Sequence, residues 1–371
     1  MRAKTLLIAV LVLPVFPASA TIFYVNDHAI FITTGSDGNT FQFLDLIDTD
    51  DDAINIVTSL NNSFNDIDIS NPTEATPQDG IIVTDTVSTG SSFNDITVDN
   101  VDNDCFETFA NDTTITTATF TNCGQDGVVI NLTAGTLLTL DDITATDPAA
   151  LGISIANLVA GTVLISDITV TAATTGLLLS ATSGGTYRDI DIRTSTTGMQ
   201  LTNADSNDFD VTAFSANIFG ATGQGNGTGI IVSAGSDSNT FNALSVVDNT
   251  GDGIEISSTS ASNIIDGNLF LGNTLNGANL AGTGANSFYA NCLRNATNIL
   301  DGGAGGITYI NAGSGNFWGS FPADGTGFSE DNTTCTDAGE FDAGGTEIMA
   351  ARCGTLNATE SCTLTFSLNI E

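Results

Sequence analysis

Short runs that alternate apolar and polar residues recur through most of the chain. Examples are Phe64-Asn-Asp-Ile-Asp-Ile and Thr186-Tyr-Arg-Asp-Ile-Asp-Ile. The apolar members are mainly β-branched or aromatic, and Gly, Asn, Asp and Ser separate the runs. This two-residue period predicts short strands with one buried face. No segment keeps a helical period over three turns, so the pattern predicts an all-β protein.

One strand-turn unit repeats along the chain about every two dozen residues. A small residue followed by alternating apolar residues opens the unit at Gly80, Gly127, Gly152, Gly176, Gly229 and Gly253. A second element, Asn-x-aromatic or Asn-x-aliphatic, begins at Asn39, Asn62, Asn239, Asn263 and Asn286. A β-sandwich also has many short strands, but it does not repeat one unit at a constant spacing. The repeat therefore favours a stacked solenoid over a sandwich.

A unit of this length holds two or three short strands, which predicts one rung of a parallel β-helix. Each rung hydrogen-bonds to the next about 4.8 Å along the axis, so equivalent side chains form columns. We expect about a dozen rungs within residues 21–310. Asn at the corners should hydrogen-bond the local backbone and its own copy in the next rung, and it tolerates a left-handed backbone conformation.

The Gly-Ile-x-Ile and Asn-x-Phe series resembles the right-handed parallel β-helix repeats of the pectate-lyase-like superfamily, in particular the NosD-like, sugar-binding repeat proteins. The stretch Gly315-Asn-Phe-Trp-Gly319 is similar to the segment that often closes such solenoids. The resemblance covers about three quarters of the chain and implies the fold. It implies no single activity, because the superfamily includes lyases, hydrolases, epimerases, adhesins and non-catalytic surface proteins.

The two ends of the chain differ from the repeats. Residues 1–20 indicate a secretory signal peptide, because Arg2 and Lys4 precede an apolar run and Ala18-Ser19-Ala20 is a small-residue cleavage site. That run is too short to span a membrane comfortably. We therefore expect a secreted, extracellular or cell-surface protein, with the periplasm as a further possibility. Residues 311–371 are predicted to form a disulfide-stapled C-terminal cap over the unpaired backbone of the last rung.

Six cysteines agree with an oxidising compartment. Six thiols allow fifteen pairings, and the sequence does not choose among them. Proximity favours the pairs Cys105–Cys123 and Cys353–Cys362, which leaves Cys292 with Cys335. A zinc site is disfavoured, because the chain has no C-x-x-C pair and no His beside a Cys.

The charge of the chain is strongly one-sided. Forty-three Asp and Glu face six Lys and Arg, for a net charge of −37. Loss of Arg2 and Lys4 with the signal peptide would leave 4 − 43 = −39. This charge disfavours nucleic acid as a partner, because phosphate binding requires a basic surface.

The acidic residues also form a predicted column. Aligning the rungs on the apolar-x-Asp-apolar element places at one repeat position Asp66, Asp95, Asp142, Asp167, Asp189 and Asp208. Carboxylates stacked about one rung apart repel, so such a column raises some pKa values or collects cations. The same alignment puts Arg188 beside Asn207, Asp191 beside Asp210 and Arg193 beside Thr212. Two arginines would thus neutralise the column on a solvated face.

The alternative interpretation of the aspartates and arginines of this column is a polysaccharide lyase site. In such a site an arginine is the base and Ca²⁺ held by carboxylates acidifies a uronate. The candidate residues are Arg188, Arg193, Asp167, Asp189 and Asp191. The negative charge opposes binding of a polyanionic substrate. The Gly-His-Gly and Arg-Ile-Lys motifs of polygalacturonases are also absent, and His28 is the only histidine.

No cofactor is required by any motif, but Ca²⁺ binding is possible at one place. Asp48, Asp50 and Asp52 alternate as ligands do in a calcium loop. Ala53 and Ser59 stand where an EF-hand needs Gly and a bidentate Glu, so the segment predicts at most a weak site.

From these observations we predict an exported, non-catalytic β-helix that is glycan-binding, adhesive or structural. Its long faces lined by Thr, Asn and Asp would contact a glycan or another cell-surface partner. The alternative is a carbohydrate-active enzyme, a polysaccharide lyase or hydrolase, on the same scaffold. A third possibility is self-association, because solenoids with a weak cap can stack end to end.

Overall fold

The computed structural model describes residues 30–47, 49, 51–70, 78–209, 217–257, 259–281, 285–301 and 317–318. Regular structure in these residues consists of strands alone, and none of them forms a helix able to cross a membrane. In chain order the strands are β1 (Ile30–Ile32), β2 (Thr40–Ile47), β3 (Ile54–Ile56), β4 (Ser63–Ser70), β5 (Ile81–Val83), β6 (Ser92–Asp99), β7 (Phe106–Thr108), β8 (Thr113–Thr121), β9 (Val128–Thr146), β10 (Leu151–Thr171), β11 (Thr175–Ser180), β12 (Thr186–Tyr187), β13 (Ile190–Arg193), β14 (Thr197–Thr202), β15 (Asp208–Phe209), β16 (Ile218–Phe219), β17 (Thr228–Ser233), β18 (Thr240–Asn242), β19 (Ser245–Val247), β20 (Ile254–Ile256), β21 (Ile264–Asp266), β22 (Leu269–Leu271), β23 (Asn276–Leu280), β24 (Ser287–Tyr289), β25 (Cys292–Arg294), β26 (Thr297–Asp301) and β27 (Phe317–Trp318).

All strand pairs are parallel, and each strand pairs with its equivalent in the next rung. The first sheet is the stack that contains β1, β3, β5, β7, the starts of β9 and β10, and then β11, β14, β17, β20, β23 and β26. These twelve stacked segments confirm the predicted parallel β-helix of about a dozen rungs. Constant register between rungs is what turns the sequence repeat into columns of like residues.

Two further sheets complete each rung. In the early rungs one strand bends and serves both sheets, as β2, β4, β6 and β8 do. The second sheet continues through β9, β10, β12, β15, β18, β21 and β24. The third sheet continues through β9, β10, β13, β16, β19, β22, β25 and β27.

The inward side chains form one continuous core of apolar columns. Aromatic rings stack in the second sheet, where Phe41, Phe64 and Phe93 have successive centroids 4.9 Å apart. Phe209 and Phe241 repeat this arrangement at 5.1 Å. The ring spacing matches the rung spacing of about 4.8 Å, so stacking aromatic side chains adds to the burial of apolar surface.

Buried asparagines form ladders at the corners of the later rungs. Three such ladders lie in the later rungs, and all their members except the half-buried Asn295 are buried: Asn207, Asn239, Asn263 and Asn286; Asn268 and Asn291; and Asn226, Asn249, Asn273 and Asn295. This confirms the predicted hydrogen bonds between copies. In these ladders the left-handed conformation belongs to the preceding residue, as at Ser238 (φ 59°) and Asp248 (φ 54°), while asparagines outside the ladders, such as Asn122 (φ 53°) and Asn203 (φ 51°), adopt it themselves as predicted. The turn is made one residue earlier because the amide must point inward to reach its copy.

The Cys105–Cys123 disulfide is present, as proximity predicted, and it joins two points of one rung. Cys105 occupies a column held mainly by glycines, such as Gly80 and Gly127. The backbone of adjacent rungs comes close there, since a Cβ on Gly127 would lie 2.5 Å from the Gly152 carbonyl oxygen. The predicted signal peptide (residues 1–20), Cys335, Cys353, Cys362 and all of the predicted cap except residues 317–318 lie outside the described residues.

Candidate functional site

A row of hydrogen-bonding side chains runs along the outer surface of the second sheet. We call it the polar column; its members are Asn65, Asn94, Thr116, Asp141, Ser166 and Arg188. Asn94 Nδ2 donates to Asn65 Oδ1 at 2.6 Å, and Thr116 donates to Asn94 Oδ1 at 2.8 Å. Ser166 donates to Asp141 Oδ1 at 2.5 Å. These bonds between rungs hold the groups in fixed orientations.

An acidic column follows one residue later, where the chain turns from the second sheet into the third. This corner column contains Asp66, Asp95, Asp142, Asp167 and Asp189, all with φ between 52° and 57°. Asp suits this left-handed position because its short side chain can bond locally. Thr117 occupies the same position between Asp95 and Asp142, so the column is interrupted by one uncharged rung.

Asp208 was predicted to belong to this column, and that prediction is wrong. Asp208 pairs with Thr186 in the second sheet, three residues before the corner at Asp189. In the third sheet the partner of Asp191 is Ile218 rather than Asp210. The chain from Asp208 to Ile218 is longer than that from Thr186 to Asp191, so the predicted pairing of Arg193 with Thr212 fails as well. The predicted pairing of Arg188 with Asn207 fails because Asn207 precedes the partner of Thr186 in the second sheet.

Stacking and partial burial disfavour ionisation in the later part of the corner column. Partial burial raises the pKa of Asp167, and repulsion from Asp141 and Asp142 raises it further. The pKa of Asp189 is also raised, first by burial and then by Asp167, while Arg188 acts in the opposite direction. The carboxyls are therefore partly desolvated hydrogen-bonding groups as well as charges.

The two arginines differ in their surroundings. Arg193 donates from Nε and Nη2 to the two carboxylate oxygens of Asp191, at 2.7 and 2.6 Å, and from Nη1 to Gln224 at 2.9 Å. A guanidinium held on three sides is poorly placed to act as a base. Arg188 lies in the polar column beside Asp189, and its buried Nε has no hydrogen-bond partner among the described residues. The structure thus brings Arg188, Asp167 and Asp189 together, and it places the Asp191–Arg193 pair across the corner.

A second group of carboxyls lies at the start of the first sheet and was not predicted. This acidic row consists of Asp52, Asp79, Asp104 and Asp126, with Glu107 beside them. Each Asp accepts a hydrogen bond from the backbone N–H at the same position of the next rung, at 3.1, 3.1, 2.9 and 2.8 Å in order. The row therefore helps to join rungs.

Burial disfavours ionisation of Asp79, Asp104, Asp126 and Glu107. It raises the pKa of Asp79 to about 6 and that of Asp104 to about 7, and neighbouring carboxylates add to both. The pKa of Glu107 is raised to about 7 by burial and by the four Asp of the row. The sequence carried a signal, since the Asp directly precedes the small residue that opens a rung, as in Asp79-Gly80 and Asp126-Gly127.

The predicted calcium segment is only partly described. Asp48 and Asp50 lie outside the described residues. Asp52 accepts the backbone N–H of Asp79 at 3.1 Å and Nδ2 of Asn55 at 2.9 Å. Among the described residues no three His, Cys, Asp or Glu side chains are arranged to hold a metal ion. A Ca²⁺ site at Asp48, Asp50 and Asp52 stays a prediction.

Comparison with known proteins bears on the fold. The family model described as "Right handed beta helix region" matches residues 130–293. A solved structure, the A-module of the mannuronan C-5 epimerase AlgE4 from Azotobacter vinelandii, aligns with 78% of this chain and 85% of its own, at 12% identity and a TM-score of 0.46. No curated protein sequence matches the chain.

The family match gives the hand of the helix, and the register of the strands gives its parallel stacking. The matched region, residues 130–293, spans strands of all three sheets. With its columns of like residues from rung to rung, the chain is a right-handed parallel β-helix repeat protein.

Proposed function

We propose that this chain is an exported, non-catalytic protein that binds neutral glycans along the polar column and the corner column. The observation that carries the proposal is the chain of hydrogen bonds between rungs in the polar column, from Thr116 through Asn94 to Asn65 and from Ser166 to Asp141. These bonds pre-organise a row of donors and acceptors, which lowers the entropy lost when a ligand binds.

The spacing of these groups suits an extended sugar chain. Equivalent side chains recur about every 4.8 Å, which is close to the length of one sugar unit in an extended glycan. A glycan lying along the axis would meet one amide, hydroxyl or carboxyl group in each rung. The carboxyls of Asp167 and Asp189, whose pKa values are raised, add acceptors for sugar hydroxyls beside the polar column.

The charge of the chain favours a neutral ligand over an acidic one. The net charge is −37, and the corner column itself is made of carboxyls. A polyuronate would be repelled from this surface. The bidentate pair of Arg193 with Asp191 supports the non-catalytic part of the proposal, because it removes one of the two candidate bases of a lyase mechanism.

The test uses residues 21–371 in affinity electrophoresis through neutral glycans, such as xylan, mannan and hydroxyethyl cellulose, and through pectate and alginate. We expect retardation by at least one neutral glycan and none by the acidic ones. The double variant Asn94→Ala with Ser166→Ala should lose the retardation. The matched control is Ser154→Ala, on the outer surface of the first sheet, which should keep it.

The same incubations separate this proposal from the enzyme alternative. Reducing-end and ultraviolet assays should show no new chain ends. If unsaturated or reducing ends form and Arg188→Ala abolishes them, the protein is a carbohydrate-active enzyme and the non-catalytic proposal fails. If neither glycan class retards the protein, the glycan-binding proposal fails.

A further inference from the structure

The outer surface of the third sheet carries a regular array of threonines. This threonine face consists of two adjacent columns, Thr97, Thr119, Thr144 and Thr169 in the first and Thr121, Thr146 and Thr171 in the second. Three consecutive rungs thus present the same Thr-x-Thr motif. The face lies across the corner from the polar column and has no role in the proposed glycan site.

The positions of these threonines are closely fixed. The residues between the two columns, Phe120, Ala145 and Val170, are fully buried, which anchors the backbone beneath the face. Rungs pair without a bulge here, since the only register shifts between β9 and β10 fall near Ala156 and Leu158. β-Branched side chains have few rotamers, so the hydroxyls and methyls repeat with the backbone.

The repeat has two dimensions. Neighbouring rungs are about 4.8 Å apart, and alternate residues of one strand are about 6.7 Å apart. Thr97, Thr119 and Thr169 are exposed, and the other members are partly exposed. Most of their hydroxyls remain available to water. Among the described residues, the only side-chain hydrogen bond that they form joins Thr171 to Thr146 at 3.5 Å.

The face carries no charge within its borders. Asp99 and Asp68 lie at one end and the Asp191–Arg193 pair at the other. No aromatic side chain points outward among the Thr-x-Thr rungs, since Phe120 is buried. The face therefore offers no charged group to an ion and, unlike the polar column, neither an amide nor a carboxyl group to a sugar.

We propose that the threonine face binds ordered water at the surface of ice. Rigid, uncharged hydroxyls can occupy water positions, and the methyl groups between them can fill gaps in an ordered water layer. The two repeat distances of the face, about 4.8 and 6.7 Å, are on the scale at which hydrogen-bonded water molecules repeat in ice, where neighbouring oxygens are about 2.7–2.8 Å apart. A pre-organised array can use such a match, since little conformational entropy is lost on contact.

The experiment measures uptake of residues 21–371 into a slowly growing ice shell, together with the shape of single ice crystals. We expect the protein to be enriched in ice relative to albumin and to produce faceted crystals. Thr144→Tyr and Thr146→Tyr should lose most of this enrichment, because a ring on the face prevents close approach. Thr139→Tyr, an outward position of the second sheet, is the matched control and should stay enriched.

A milder variant guards against misfolding. Thr144→Ser with Thr146→Ser keeps the hydroxyls, removes two methyls and should reduce enrichment while the thermal unfolding midpoint stays near that of the unchanged protein. The proposal is overturned if the unchanged protein is excluded from ice like albumin, or if the Tyr variants are enriched as strongly as it is. Either result leaves the glycan proposal untouched, because its variants lie on another sheet.

Discussion

Asn239 donates both its backbone N–H and its side-chain Nδ2 to Oδ1 of Asn263, at 2.9 and 3.0 Å. Asn263 repeats the pattern toward Asn286 at 2.9 and 3.1 Å, and it also donates to the Ser236 carbonyl oxygen at 3.0 Å. Asn239 and Asn263 are completely buried. Each amide therefore satisfies backbone groups that a corner would otherwise leave unpaired inside the protein.

Replacing Asn263 with Leu should destabilise the protein strongly. The change leaves the Asn239 N–H groups and the Ser236 carbonyl without partners, and each unsatisfied buried group costs roughly 1–3 kcal/mol. We expect a loss of about 3 kcal/mol or more in the free energy of unfolding, measured by urea denaturation. Asn94→Leu, on the exposed second sheet, should change it by less than about 1 kcal/mol. Equal losses in the two variants would contradict a special role of the buried ladder.

Removal of the disulfide should also lower stability. Cys105 and Cys123 are separated by 18 residues, and closing a loop of that size is expected to stabilise by about 3 kcal/mol through the unfolded chain. The variant Cys105→Ala with Cys123→Ala should unfold at lower urea concentration than the oxidised protein. Adding a reductant should destabilise the unchanged protein and leave the variant as it is. An unchanged midpoint in the double variant would show that the bond does not constrain the unfolded state.

Stability should increase as the pH falls from 8 to 5. The pKa values of Asp104 and Glu107, about 7, and of Asp79, about 6, lie above those of carboxyls in an unfolded chain. The folded state therefore binds these protons more tightly, so their contribution is complete below about pH 4 and is lost as the pH rises through 6 and 7. We expect a higher thermal midpoint at pH 5 than at pH 8.

Two variants test whether the acidic row causes this dependence. Asp104→Asn with Glu107→Gln keeps the size of both side chains and removes their titration, so it should flatten the profile. Asp68→Asn, on the exposed surface of the third sheet, should leave it unchanged. If the double variant has the same pH profile as the unchanged protein, the acidic row is not the cause of the pH dependence.

Salt should stabilise the folded chain. With a net charge of −37, the columns place carboxylates one rung apart, about 4.8 Å, where repulsion is substantial. The Debye length falls from about 10 Å at 0.1 M salt to about 3 Å at 1 M, which screens this repulsion. We expect the thermal midpoint at pH 8 to rise with sodium chloride. A midpoint that is constant or falls with added salt would contradict this expectation.

Calcium gives a separate test of the predicted segment at Asp48, Asp50 and Asp52. If a calcium site exists, the thermal unfolding midpoint at constant ionic strength should be higher in CaCl₂ than in MgCl₂, because a ligand that binds the folded state stabilises that state. Asp52→Asn should abolish the difference. Identical midpoints in the two salts would exclude a stabilising site of this kind.

The sequence was a good guide wherever one rung resembles the next. Alternating residues predicted the inward faces, and the spacing of Gly152 and Gly176 predicted the period. The element around Asp142 and Asp167 also predicted the corner column. These features depend on local strand periodicity and on rungs of equal length, both of which can be read along a single chain.

The prediction failed where rungs differ in length. Asp208 looked equivalent to Asp189, but the register of the second sheet pairs it with Thr186, and the longer chain before Ile218 changes the third-sheet partner of Asp191. The acidic row was missed because the Asp before each small residue, such as Asp79 or Asp126, looks like an ordinary turn residue. Only stacking shows that these carboxyls accept backbone N–H groups and are partly removed from water.

The sequence by itself therefore determined the parallel β-helix, its rung length and the apolar core, because periodicity and burial are properties of each rung taken alone. Only the tertiary structure decided which polar side chains became neighbours, as with Asp191 and Arg193, and which carboxyls were desolvated, as with Glu107. The physical reason is that hydrogen bonding and Coulomb repulsion act over a few ångströms. A shift of one position in register changes every partner in a column.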